Sequence, residues 1–371
     1  MVTRPLRGYE AASAGHEMSS PSVWSAFKAG VARPSGVGLA LIPLVAAAWT
    51  ALAALLVVPE RIAALHPHVL MSAPFDEYGL LTQRLLQIQA SPRAPDRAIF
   101  VGSSVLKEGV WDYAELAADL SGRRGHPVAV ENFTAGLLSS GEFGVVLEGL
   151  APLDGAAVVL SVAPAVFSTH PRSYAARARD PRFGVRSETL DGELARIGAD
   201  PWPRTGIYLF DTLPFYSARY LAIGRNLARG PPPFDPHLHD GLAALEGDAL
   251  EKVEAPAREL LEALEPNLDA IAAVIGRAVA RARTDGASRI ILLEGTVNPA
   301  RRDALLAPDR RAAYAGRIRS LAADLGAEYW EDLDSRAALA PAEFYDHIHL
   351  RSPDAMRRYA TAIADRLQET P

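Results

Sequence analysis

The stretch Ala98-Ile99-Phe100-Val101-Gly102-Ser103-Ser104 decides the fold. A short apolar run breaks on a glycine and two serines, which reads as a strand ending in a turn. Comparable runs follow at Val128 to Phe133, Ala156 to Val162, Ile290 to Leu293 and, more weakly, Glu328 to Trp330. Helical patterns separate them. Tyr113, Leu116, Ala117 and Leu120 fall at i, i+3, i+4 and i+7, and Leu268, Ile271, Ile275 and Val279 repeat the stripe before the fourth run. Tyr314, Ile318, Leu321 and Leu325 do so again, with Gly326 where a helix C-cap needs a left-handed residue. The last helix carries an N-cap at Ser352, a first-position Pro353 and an apolar face of Met356, Tyr359, Ile363 and Leu367. Strands alternating with helices predict an α/β fold with a parallel sheet of about five strands.

Outside that frame, more than a hundred residues separate the third and fourth runs, far more than a crossover needs, so 168–266 is expected to be a helical insertion. Residues 59–96 hold a possible helix from Tyr78 to Ile88 and otherwise look like a stalk. No charge occurs between Arg33 and Glu60, and Gly36 to Val58 is almost wholly Ala, Leu, Val and Ile around Trp49. A helix over 36–58 would measure roughly 35 Å, enough to span a bilayer core of about 30 Å. Arg4, Arg7, Lys28 and Arg33 precede it and only Arg61 follows closely. The expectation is therefore a single-pass anchor, a cytoplasmic leader over 1–35 without regular structure, and an extracytoplasmic domain over 97–371.

With 371 residues, 49% of them apolar, 22% charged and a net charge of −6, the chain can bury a core and is neither disordered nor disulfide-stapled. That balance gives no electrostatic reason to expect nucleic acid. Cysteine is absent, which excludes thiolate metal sites and cysteine nucleophiles. Any chemistry falls to Ser, His, Asp, Glu, Lys or Tyr, and no cofactor or metal is expected.

In an open parallel sheet, ligands gather outside the carboxyl ends of the strands. Gly102 there permits a tight turn that presents a serine hydroxyl at the sheet edge. Near the other end of the chain stands Phe344-Tyr345-Asp346-His347-Ile348-His349-Leu350, just before the Ser352 cap. A carboxylate three residues before an imidazole, in a loop, can accept from its Nδ1–H, fix the tautomer and stabilise the imidazolium formed when the base takes a serine proton. Weaker candidates are His237-x-His239-Asp240, which reads as a surface loop because no further ligand stands nearby. Lys107 and Glu108 read as exposed loop residues able to touch substrate, and the charged run Glu251 to Glu265 as a solvated helix face.

Ile99 to Ser104 and Phe344 to Leu350 together resemble the SGNH (GDSL-type) hydrolases, in order, spacing and element context. That resemblance implies a three-layer flavodoxin-like fold in which Ser104 is the nucleophile, His349 the base and Asp346 the orienting acid. For the oxyanion hole it implies the N–H of Ser104 and Gly136 after the second strand, with Gly141 as a second choice. The family's asparagine after the third strand is missing from Ser161-Val162-Ala163-Pro164-Ala165, leaving either Asn298 as a substitute or an activated acyl donor. Asn298 equally suits a cap for the turn before Pro299. The combination of anchor, outer domain and missing asparagine resembles the members that assist cell-surface O-acylation, such as teichoic-acid D-alanyl transfer and alginate acetylation proteins. It implies a serine acyltransferase or esterase working on an exported glycan or envelope polymer beside a polytopic membrane-bound O-acyltransferase, in the periplasm or outside the cell. A plain carbohydrate or lipid esterase and a non-catalytic scaffold of an envelope-polymer assembly complex are the alternatives.

Overall fold

The computed structural model describes residues 36–74, 76–168, 182–198, 209–210, 218–232 and 238–369. The basic residues Arg4, Arg7, Lys28 and Arg33, the rest of the leader, and His237 lie outside them. The chain divides into two units, Met1–Leu55 and Leu56–Pro371. In the first, α1 (Gly36–Leu56) is a helix of 21 residues without an ionisable side chain. Its side chains are described from residue 41 onward, and Leu41, Ile42, Leu44, Val45 and Trp49 are exposed. Among the described residues no helix is long and apolar enough to cross a membrane.

The second unit is built on five parallel strands, β1 (Arg97–Gly102), β2 (Ala129–Thr134), β3 (Ala157–Ser161), β4 (Arg289–Leu293) and β5 (Glu328–Trp330), in the order β2-β1-β3-β4-β5. This is the order of flavodoxin-like doubly wound sheets, and it reverses between β1 and β3. Alternation along the strands sends Ile99, Val101, Val158, Leu160, Ile290 and Leu292 into one core. Their neighbours Ala98, Phe100, Val159, Ile291 and Leu293 enter the other. Both faces must therefore be covered by helices.

On the first face lie α2 (Glu77–Gln89), α5 (Ser140–Leu150), α10 (Leu264–Thr284) and α11 (Pro308–Asp324), contributing Tyr78, Phe143, Ile275 and Ile318 among others. The second face is closed by α4 (Tyr113–Arg124) and α12 (Pro353–Gln368), through Leu116, Leu120, Met356, Tyr359 and Ile363. Between β1 and α4 runs the short α3 (Ser104–Gly109). Ser352 caps α12 by accepting from the Ala355 N–H at 3.4 Å, a contact of a kind that contributes about 1 kcal/mol. Gly326 takes φ +60° just past α11, as the sequence requires.

Residues 59–96 are not a stalk. Tyr78, Leu81 and Leu85 of α2 belong to the main core. Ile62, Leu70 and Leu86 form a further cluster with Leu209 and Ile223 of the insertion. The Asn226 amide clamps this segment by donating to the carbonyls of Val69 and Met71, each at 2.9 Å. Among the described residues of the insertion three helices occur: α6 (Pro164–Ser168) leads into it, and α7 (Glu188–Arg196), α8 (Ala218–Arg229) and α9 (Gly247–Glu262) lie within it. The run 251–265 is not wholly solvated, because Glu254 is fully buried and accepts from Arg301 at 2.7 Å.

Candidate active site

Ser104 sits at the carboxyl end of β1, where the strand order reverses, and is the first residue of α3. Ser103 is the N-cap, with extended backbone and a carbonyl that accepts from Leu106 and Lys107 at 3.1 Å each. Gly102 has an ordinary φ; it is needed for space. A Cβ there would stand 2.5 Å from the Cβ of Ser161 on β3 and 3.1 Å from Leu106. Only a glycine lets the two strands close up beneath the serine.

The second half of the site is the loop before α12. Its ends are tied by a bridge between Phe344 and Leu350 and by the Tyr345 N–H donating to the His349 carbonyl at 2.8 Å. Inside it, Asp346 Oδ1 accepts from the backbone N–H groups of Ile348 and His349, both at 2.8 Å, curling the chain so that position 349 faces position 346. The other oxygen, Oδ2, accepts from His349 Nδ1–H at 2.8 Å. Opposite, His349 Nε2 receives the Ser104 hydroxyl at 3.1 Å. The tautomer follows from the pairing, since Nδ1 faces a carboxylate and Nε2 is then free to accept. Burial alone would raise the Asp346 carboxyl, but the His349 hydrogen bond and charge, with the two backbone N–H groups, hold it well below the usual carboxylate range.

Asn298 and Gly136 are not placed as free oxyanion donors. The Asn298 amide donates to the carbonyls of Asp346 at 3.3 Å and Pro341 at 3.4 Å, and its Oδ1 accepts from Ala300 at 3.0 Å. Together with the Asn298 N–H on the His347 carbonyl at 2.9 Å and the Thr296 hydroxyl on the Ile348 carbonyl at 2.6 Å, it braces the triad loop. Of the two roles the sequence left open, the turn-capping one is the one it occupies. The Gly136 N–H donates to the Glu77 carboxylate, and its carbonyl accepts the Tyr78 hydroxyl at 3.1 Å. Gly141 lies inside the first turn of α5. The Ser104 N–H, at the first position of α3, has no intrahelical acceptor and remains as the donor at hand.

Three residues matter more than their sequence suggests. Lys107 and Glu108 are not exposed loop residues; they lie in α3, 4% and 2% exposed. Lys107 pairs with Glu77 at 2.6 Å and approaches Glu108 at 3.6 Å. Glu108 accepts from His239 Nδ1–H, and the His239 ring stacks on His349 with centroids 4.8 Å apart and planes 20° from parallel. Against the effect of burial, the His239 hydrogen bond and the charges of His349, His239 and Lys107 hold the Glu108 carboxyl below its ordinary value. The insertion is fastened here by the Leu245 N–H on the Tyr345 carbonyl at 2.7 Å and Arg351 on the Leu242 carbonyl at 2.7 Å. Among the described residues no group of three or more His, Asp or Glu is arranged to hold a metal ion.

His347 points away from this chemistry. It is buried, its Nδ1 has no hydrogen-bond partner among the described residues, and burial keeps its imidazole below the usual basicity. It lines an apolar pocket of about 80 Å³ together with Val105, Ala163, Leu260, Leu305 and Ile348. No protein-family model matches the chain, and no curated protein does.

Proposed function

We propose that the chain is a serine acyltransferase or esterase of the SGNH hydrolase type, with Ser104 as nucleophile, His349 as base and Asp346 as the acid that orients it. The observation that carries this reading is the unbroken line from Asp346 Oδ2 through the His349 ring to the Ser104 hydroxyl, with spans of 2.8 and 3.1 Å. Nucleophile and base stand within hydrogen-bond reach, and a third group fixes the base. Ser104 Oγ attacks the acyl carbonyl as His349 Nε2 takes its proton. The tetrahedral intermediate then expels the leaving group, which receives that proton, and an acyl-Ser104 ester remains. An acceptor hydroxyl or water gives its proton to His349, attacks this ester and restores Ser104.

With Asn298 and Gly136 engaged elsewhere, the oxyanion rests mainly on the Ser104 N–H. A missing donor of this kind costs about 3 to 4 kcal/mol of transition-state stabilisation. An activated acyl donor, whose leaving group departs more readily than an alkoxide, compensates for that loss. This favours transfer to an exported glycan or envelope polymer over hydrolysis of unactivated esters. The charge-free run 36–58 supports a membrane anchor, with the catalytic unit on the extracytoplasmic side and a polytopic O-acyltransferase as partner.

A serine-directed fluorophosphonate tests the chemistry. It should modify Ser104 in the full-length protein and leave Ser104→Ala untouched. Modification at another residue, or none, overturns the reading.

A further inference from the structure

We propose that the pocket walled by Val105, Ala163, Leu260, Leu305, His347 and Ile348 holds the hydrocarbon tail of the acyl group and restricts it to a short chain. The inference rests on Ser104 being the nucleophile and adds which acyl group it carries. Val105 directly follows Ser104 and Ile348 directly precedes His349, so two of the pocket's walls are the chain neighbours of the reacting pair. Its remaining walls come from the chain just after β3 and β4 and from α9 of the insertion. The tail of an acyl group on Ser104 would enter this apolar space past Val105 and Ile348.

The chemistry of the walls selects the occupant. The charged residues at the pocket's edge are already paired, Arg311 with Glu294 at 3.3 Å and Arg302 with Asp334 at 3.2 Å. The Tyr329 hydroxyl also donates to Glu294, at 2.5 Å. No net charge is left to receive a dicarboxylic acyl group or an amino-acyl ammonium, whose burial without a partner is costly. A saturated tail meets almost wholly apolar surface. A cavity of roughly 150 Å³ accommodates the six carbons of benzene; at about 80 Å³ this pocket takes a tail of about three carbons. Butyryl fits, acetyl leaves it partly empty, and octanoyl exceeds it.

The full-length protein, assayed with 4-nitrophenyl acetate, butyrate, hexanoate and octanoate, reads this out as kcat/KM. The expected profile peaks at butyrate, about tenfold above acetate from two buried methylenes, and falls at octanoate. Leu305→Ala should move the peak to hexanoate, and Ala257→Phe, which fills the pocket from α9, should move it to acetate. Fluorophosphonate modification of Ser104 is measured on the same samples. A flat profile in all three proteins with Ser104 still modified overturns the pocket alone; absence of modification overturns the serine reading and the pocket with it.

Discussion

The imidazole of His239 lies face to face with that of His349, 4.8 Å away, while its Nδ1–H is held by the buried Glu108. A carboxylate thus stands one ring behind the base, in addition to Asp346 on its far side. During serine attack His349 becomes an imidazolium, and each nearby negative charge stabilises that state. The insertion contributes His239, so it helps to build the site as well as to cover it.

Glu108→Gln should therefore weaken the base. The groups facing His349 are Asp346 and Ser104, with His239 on its ring face and Glu108, Lys107 and Glu77 behind. Removing the Glu108 charge disfavours the imidazolium that forms during serine attack, so kcat should fall more than KM rises. The fall should be severalfold. Glu108→Asp, which keeps the charge, should recover much of the loss; an equal fall in both variants would assign Glu108 a purely structural role.

The two histidines of the loop should differ sharply. His349→Ala removes the residue between Ser104 and Asp346, and activity should fall by at least about a thousandfold, more than 4 kcal/mol. His347→Ala touches neither and should cost less than about tenfold. Equal losses in the two variants, measured with one ester substrate at saturating concentration, would contradict the assignment.

Gly102→Ala probes the floor beneath the serine. The added methyl would meet Ser161 Cβ at 2.5 Å, so β1 and β3 must part at the point where Ser104 is held. Overpacking of this kind costs typically about 1 to 3 kcal/mol. Thermal denaturation should show that loss, and a displaced Ser104 should lower kcat more than it raises KM. The double variant Gly102→Ala with Ser161→Gly should recover much of both.

The strands were legible because each is a short apolar run closed by turn residues, and β1, β4 and the helix caps at Ser352 and Gly326 fall where the pattern puts them. Asp346 and His349 were legible because their spacing creates their geometry. Gly136 is not a free donor for a reason no local pattern carries: its N–H is taken by Glu77, 59 positions upstream, in a helix whose own periodicity does not dock it beside the site. His239 and Glu108 are 131 positions apart, and their pairing depends on how the insertion folds back. Local periodicity reports which face of an element is buried, and says nothing of which distant polar group meets it there.

Asp334 gives a prediction about stability. Burial pushes its carboxyl up to about 6, against the Val297 N–H and the Arg302 guanidinium that favour its charged form. The folded protein then keeps a proton that the unfolded chain releases near pH 3.8. Stability from this group is complete below about pH 4, declines as the pH rises to about 6, and is about 3 kcal/mol lower above that. Asp334→Asn cannot ionise, and its side-chain oxygen can still accept from Val297, though the ion pair with Arg302 is lost. Melting temperatures measured from pH 4 to 8 should therefore show wild type losing ground to Asp334→Asn across pH 4 to 6, the curves running parallel above. A constant offset over the whole range would mean that the carboxyl does not titrate in this window. Because the Val297 N–H held by Asp334 lies between Thr296 and Asn298, which brace the loop of Asp346 and His349, the same variant should leave the triad geometry and the esterase rate near wild type.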